Sequence, residues 1–244
     1  TATPAINNAS GYKSNDPYSN RDPRLAATVL YNGVNWGNGI INVLKGQRDN
    51  PQGNANATPT GYYTRKYIPE VILNNNHTGS NYRNWIIIRY AEILLSYAEA
   101  LNNLTGPHTV ELDGQPYTMS RDKEEIKKAF NQVRYRAGLP GLTANQLNST
   151  PEVQKQIERE RMVEFLWENR RFYDVRRWGI YEETEQEPIR GMNPDGATKE
   201  TYYQRVIPSS SSFLTRVVDK RSVWVPIPRN EMRRLPSLDQ NPGY

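Results

Sequence analysis

The residues able to do acid–base chemistry in this chain are almost all carboxylates. Glu160 and Glu164 sit one helical turn apart, flanked by Arg159 and Arg161, a spacing that reads as an ion-pair ladder on a helix surface. Glu92 and Glu99 lie two turns apart on the most apolar stretch of the chain. A buried acid there requires a cation, and Arg89 or an arginine from a later helix would supply it; structural pairing is preferred to catalysis. Glycoside hydrolysis needs two carboxylates on opposite sides of a sugar, and the loop acids Asp16, Asp22 and Asp49 are the alternatives for that role. His77 and His108 stand in unrelated loops with no partner three or four residues away, which argues against a metal site or a Ser–His–Asp arrangement. Gly37-Asn38-Gly39 does not complete a dinucleotide fingerprint, and no phosphate-binding loop occurs. The chain has no Cys, which removes disulfides, thiolate nucleophiles, zinc fingers and iron–sulfur clusters. No catalytic residue, cofactor or metal is expected.

Binding chemistry is better represented. The stretch ENRRFYDVRRWG (168–179) interleaves four arginines with aromatic rings, as a nucleic-acid surface would. Glu158, Glu160, Glu164, Glu168 and Asp174 nearly balance those arginines, so packing with ion pairs is the better reading and no nucleic acid is expected. Sugars present a flat apolar face with hydroxyls around the rim, and a binder meets them with exposed rings beside amides and charges. The loop Tyr31-Asn32-Gly33-Val34-Asn35-Trp36-Gly37-Asn38 has that composition. The candidate ligand-binding residues are therefore Trp36, Tyr31, Asn35 and Asn38, with Arg48, Tyr62, Tyr63 and Tyr82 joining them if the loops converge. Two readings of Trp36 stand side by side: an exposed platform for a sugar, or an anchor packed under the loop.

These residues must be positioned by a chain of 244 residues, long enough for a sizeable core without metal or disulfide staples. The net charge of +5 is a weak bias at this length. Leu, Ile, Val and Phe make up only about a fifth of the residues, and the core is supplemented by 16 Tyr and 5 Trp. A mean hydropathy of −0.83 with 17 Pro and 16 Gly implies much loop. Residues 1–83, dense in Pro, Gly and Asn, read as a loop-rich segment with brief strands or single helical turns. Residues 84–179 read as a helical layer. A first helix spans about 84–104, apolar nearly all round and buried, with Arg89, Glu92 and Glu99 arguing against a membrane span. A polar loop with an Asp113-Gly114 turn follows. A second helix runs from Ser120 or Arg121-Asp122 to Ala137, with Gly138 as its stop, and a third from a Thr150 cap followed by Pro151 through to Gly179. Residues 180–244 are irregular, with a short strand expected at Val223–Val225 before Pro226 and Pro228 forbid pairing.

Four stretches in this order, NRDPRL (20–25), RYAEILLSYAEAL (89–101), ERMVEFLWENRRFYDVRRWG (160–179) and VPIPRNEMRRLPSLDQNPGY (225–244), together with GYYTRKY (61–67), resemble the SusD/RagB family of outer-membrane nutrient-binding lipoproteins. The resemblance covers about 20–244 and corresponds to the family's C-terminal half. Leu235-Pro236 departs from the family's pattern, so the turn there is expected to differ. The resemblance implies a mainly α fold of tetratricopeptide-like helical hairpins with long irregular loops. It implies a non-catalytic protein on the extracellular face of the outer membrane, capturing a glycan, or in some members a peptide, for a TonB-dependent SusC-like transporter. Contact with the membrane would be through a lipid anchor outside this chain. With the family's N-terminal helical repeats absent, apolar faces of 84–178 are expected to lack their cover.

Overall fold

The computed structural model describes residues 11–37, 39–68, 84–208 and 216–244. It is mainly helical, with two-stranded pieces of sheet between the helices. The chain divides into two compact units, the first formed by residues 1–30, 34–40 and 63–171, the second by 31–33, 41–62 and 172–244.

In the first unit, α1 (Arg24–Thr28) leads into β1 (Val29–Leu30), and β2 (Asn35–Trp36) pairs with β3 (Gly39–Ile40). β4 (Tyr63–Thr64) returns antiparallel to β1, with Leu30 opposite Tyr63. α2 (Tyr90–Asn102) packs against α3 (Lys123–Arg136) and α5 (Thr150–Glu164), with the single turn α4 (Ala144–Leu147) beside α5. Between α2 and α3, β5 (His108–Leu112) and β6 (Gln115–Met119) form a hairpin. Local chemistry sets these ends. Asp122 caps α3, its carboxylate accepting the Glu124 and Glu125 amides at 2.9 and 3.1 Å, while Gly138 at φ +71° ends the helix in a conformation that penalises a Cβ. Thr143 and Gln146 form a reciprocal capping box on α4. Ser149, one residue before the expected Thr150, caps α5. Leu95, Ala98, Leu101, Ile126, Phe130, Val133, Val153 and Ile157 interlock as the apolar core.

Three expectations need correction. The first helix begins at Tyr90, six residues late, because Arg89 is extended and its guanidinium reaches α5 instead of solvent. Nor is that helix buried all round: Tyr90, Ile93 and Tyr97 are exposed, as are Trp85, Ile87 and Ile88 before it, Ile87 at 74%. This chain covers only the face carrying Leu95, Ala98 and Leu101. Among the described residues no helix is long and apolar enough to cross a membrane. The third helix does not run to Gly179. It stops at Phe165, passes through left-handed Trp167 and Asn169, and resumes as α6 (Arg170–Arg177).

Glu160 and Glu164 are also not a surface ladder. Their side chains are 3% and 2% exposed and bind four arginines brought from three other segments. The Arg24 guanidinium donates to Glu160 Oε1 at 2.6 Å, Glu164 Oε2 at 2.7 Å and Asp22 Oδ2 at 2.7 Å. Arg134 donates to Glu160 at 3.0 Å, and Arg89 and Arg136 share Glu164 Oε1. Glu168, in the turn after α5, accepts from Arg89 Nε at 2.7 Å and from Lys66. Glu92 finds Arg170 at 2.8 Å, a cation from a later helix as expected, and Glu99 is buried. Burial alone would raise the carboxyls of Asp22 and Glu168. Hydrogen bonds and charge from Arg24, and from Arg89 and Lys66, outweigh it and hold both below the carboxylate range.

The second unit depends on buried amides. Asn50, fully buried, donates to the carbonyls of Val43 and Pro194, each at 2.8 Å, and accepts the Gln52 amide. Asn32 accepts the Val43 amide at 3.0 Å. After α7 (Tyr181–Glu185), β7 (Gly191–Met192) pairs with β8 (Arg205–Val206) around the single turn α8 (Lys199–Tyr202). Tyr202 lies against Gly61, where an added Cβ would meet its hydroxyl at 2.3 Å. The strand expected at Val223–Val225 is instead the end of a 3-10 turn, Lys220–Val223, followed by Trp224 and Val225 outside any strand. Prolines on both sides of Ile227 exclude a ladder, and the Gln240 side chain takes its place, accepting the Ile227 N–H at 2.8 Å and donating to its carbonyl at 3.0 Å. α9 (Arg229–Arg234) lies between these partners in sequence.

Glu164→Ala removes the acceptor shared by Arg24, Arg89 and Arg136 and should cost about 3–5 kcal/mol, read as a lower Tm, because it strands buried cations. Glu124→Ala, which breaks only the exposed pair with Lys127 at 3.6 Å, should change stability by less than about 1 kcal/mol. Because the folded-state values of Asp22 and Glu168 are depressed, their stabilisation is full above their ordinary values of 3.8 and 4.5 and is lost as pH falls towards the folded ones. Thermal melts should show Tm falling below about pH 4; a Tm as high at pH 2 as at pH 6 would contradict this.

Candidate functional site

The short β2–β3 hairpin presents the aromatic loop. Trp36 is 7% exposed and therefore offers no open face to a sugar ring. The Arg65 guanidinium lies over it, 4.9 Å from the ring centroid, and donates to the Ala26 carbonyl at 2.7 Å. The geometry thus favours the anchor reading of Trp36 over the platform one: the indole packs inward and holds a cation above it. Asn35, opposite Ile40 in the hairpin, faces solvent. Tyr63 is half-buried opposite Leu30.

The remaining candidates belong to the second unit. Tyr31 and Tyr62 are half-buried there. Arg48 has its side chain 63% exposed and pairs with Asp49 at 3.0 Å, whose other role is to accept the Asn42 amide at 2.8 Å. Asn38 and Tyr82 lie outside the described residues, as does His77. The structure therefore joins Trp36 to Arg65 and holds Asn35 and Tyr63 in the same unit, while Tyr31, Arg48 and Tyr62 stand in the other. Of the loop acids weighed for hydrolysis, Asp22 is committed to Arg24 and Asp49 to Arg48. No group of His, Asp or Glu able to hold a metal occurs among the described residues.

Two grooves had no sequence signal. The first, about 250 Å³, runs between α2 and α3 and is lined by Tyr90, Ile93, Tyr97, Glu125, Lys128 and Gln132. The second, about 320 Å³, lies in the second unit among Arg176, Gly179, Tyr181, Glu182, Glu183 and Lys220. There Arg176 is clamped between the Phe172 and Tyr181 rings, 3.6 and 4.3 Å from their centroids, and donates to the carbonyls of Ser222 and Val223, both at 3.1 Å. The rings of the ENRRFYDVRRWG stretch thus pack with its cations, as the charge balance indicated. Carboxylates and an ammonium around a tyrosine can meet a hydroxyl-rich ligand. Tyr181 follows Gly179 by two residues, but only folding reveals that Lys220 closes the same groove. Arg65 was likewise missed; the ring–cation alternation of GYYTRKY is its sole trace.

Comparison with known proteins agrees with this architecture. The sequence model described as SusD family matches residues 5–244. A SusD-like protein P2 from Formosa agariphila is 26% identical over 185 residues, 73% of this chain and 30% of that protein. The crystal structure of a SusD-like protein from Bacteroides fragilis superposes with a TM-score of 0.69 at 31% identity, covering 93% of this chain and 40% of that one. A second from the same organism, described as a SusD-like carbohydrate binding protein, gives 0.53 at 26% identity over 74% of this chain and 33% of its own. The chain thus spans 30–40% of the length of these relatives. Four of the stretches that carry the resemblance, 20–25, 61–67, 89–101 and 160–179, meet in one feature, since Arg24, Lys66, Arg89 and the three glutamates Glu160, Glu164 and Glu168 all belong to the buried ion network. This chain belongs to the SusD family.

Proposed function

We propose that the chain is part of a non-catalytic glycan-binding protein that passes its ligand to a TonB-dependent SusC-like transporter at the extracellular face of the outer membrane. The observation that carries this reading is the family match across residues 5–244. It is supported by the carbohydrate-binding description of the Bacteroides fragilis relative and by the structural engagement of Asp22 and Asp49. The membrane location and the lipid anchor come from the family resemblance.

The ligand contacts are assigned to the exposed polar groups and half-exposed rings of the loops: Asn35 and Tyr63 in one unit, Tyr31, Arg48 and Tyr62 in the other. Trp36 contributes as the anchor that holds Arg65 in place. Asn38 and Tyr82 remain assigned from sequence.

Titration calorimetry against a panel of oligosaccharides should give saturable binding with no new reducing ends; turnover would overturn the non-catalytic reading, and an entirely silent panel the glycan reading. Co-purification from outer membranes with a TonB-dependent transporter tests the partner. With a binding glycan in hand, Arg48→Ala and Asn35→Ala should leave Tm within about 1 °C of the parent and weaken binding roughly tenfold, equivalent to about 1.4 kcal/mol. Trp36→Ala should destabilise the fold by about 3–5 kcal/mol, as removal of a buried Trp does. Trp36→Phe should recover most of that stability together with binding.

A further inference from the structure

The hairpin between α2 and α3 has an apolar face and one open edge. In β5 and β6 only Val110 is even half-buried; every other strand residue is exposed. The two central turn residues, Asp113 and Gly114, have φ of +52° and +73°, the type I′ turn that matches strand twist. The register places Val110 opposite Tyr117, and Leu112 opposite Gln115, so His108, Val110, Leu112, Gln115, Tyr117 and Met119 share one mainly apolar face. Leu112 and Tyr117 are 55% and 53% exposed there. The other face is polar, with the Thr109 and Thr118 hydroxyls 2.8 Å apart.

A two-residue turn closed by Leu112 and Gln115 fixes which backbone groups point inward. Residues 108, 110 and 112 bond to 119, 117 and 115, and Thr109, Glu111, Pro116 and Thr118 turn their groups outward. The two edges then differ. Pro116 has no N–H, so the β6 edge is blocked in the way natural sheets block edges. The β5 edge offers the N–H and C=O of both Thr109 and Glu111.

We propose that the β5 edge pairs with the β5 edge of a second copy of this chain, forming a four-stranded antiparallel sheet about a two-fold axis at Val110. In that register Thr109 of each copy meets Glu111 of the other, all four open groups per copy are bonded, and no like charges stand opposite. A shift of one residue either way puts Glu111 opposite Glu111 or Thr109 opposite Thr109 and leaves open groups unmet. Like charges directly opposite are destabilising. An isolated two-stranded hairpin is marginal in water, and additional strands over a shared apolar face relieve that. Because each hairpin has one open edge and one blocked edge, pairing closes at two copies and does not propagate into a fibre.

The chain has no Cys, so single thiols report the register. Val110→Cys places two thiols in a non-hydrogen-bonded pair across the axis, with Cα atoms about 4.5 Å apart, within disulfide reach. Leu112→Cys, on the same face, separates them by about 14 Å, four residues along the strand. Under mild oxidation by glutathione, the Val110→Cys chain should form disulfide-linked dimers at least about tenfold faster than the Leu112→Cys chain. Thr109→Pro, which removes an outward N–H without touching the hairpin's own ladder, should abolish dimers in analytical ultracentrifugation with circular dichroism and Tm unchanged. Equal cross-linking of the two thiol variants, a parent chain that is monomeric throughout, or a dimer that survives Thr109→Pro but is lost in Ile93→Glu on the exposed face of α2 would each overturn the proposal.

Discussion

Glu160, Glu164 and Glu168 recur every four residues on the inner side of a helical layer, where an ionised carboxylate without a partner is untenable. Their neutralisation constrains most of the first unit. Four carboxylates, counting Asp22, face Arg24, Arg89, Arg134, Arg136 and Lys66, so α1, the strand end after β4, the entry to α2 and the C-terminal turn of α3 must all meet one face of α5. Replacement of such a network by apolar residues is often neutral for stability, but removal of a single member is not. The network therefore specifies which segments meet more than it adds to the depth of the fold. The charged residues of four of the motifs, Arg24, Lys66, Arg89 and the three glutamates, accordingly serve the interior.

The second unit solves a different problem with a different device. Its backbone is rich in Pro and Gly and forms little regular sheet, which leaves amides and carbonyls unpaired by strands. Asn50, Asn32 and Gln240 supply those bonds from their side chains. An Asn-rich composition, which on its face suggests solvated loops, is thus partly structural. The same device places Trp224 and Val225 outward, and Asn241 and Tyr244 fasten that segment through the carbonyls of Val225 and Trp224 at 2.7 and 3.2 Å.

Two populations stand out among the exposed aromatic and aliphatic residues. Those of α2 and the residues before it line one side of a helix whose other side is fully packed, as a layer open on one side would. Those of the β5–β6 hairpin belong to an element that makes its own turn and register without a supporting layer. Neither population coincides with the ring-and-amide loop, whose indole is turned inward under Arg65.

Sequence alone determined the elements whose signals are local. The Gly138 stop and the Asp113-Gly114 turn each follow from residues a few positions apart, and each is present; of the two starts open for α3, Ser120 or Arg121-Asp122, the structure takes Asp122. The family was equally legible, because its motifs are contiguous. Tertiary structure decided the rest. Whether the glutamate ladder faces water or the interior depends on Arg24, 136 and 140 residues from the two acids it binds. The late start of α2 and the break after Phe165 depend on Arg89 and Glu168, 79 residues apart. The orientation of Trp36 is tied to Arg65, which directly follows β4 of a different strand pair and whose guanidinium lies over the ring. A helix cap is satisfied by its own neighbours, whereas a buried charge or an indole takes its environment from whatever the rest of the chain folds against it.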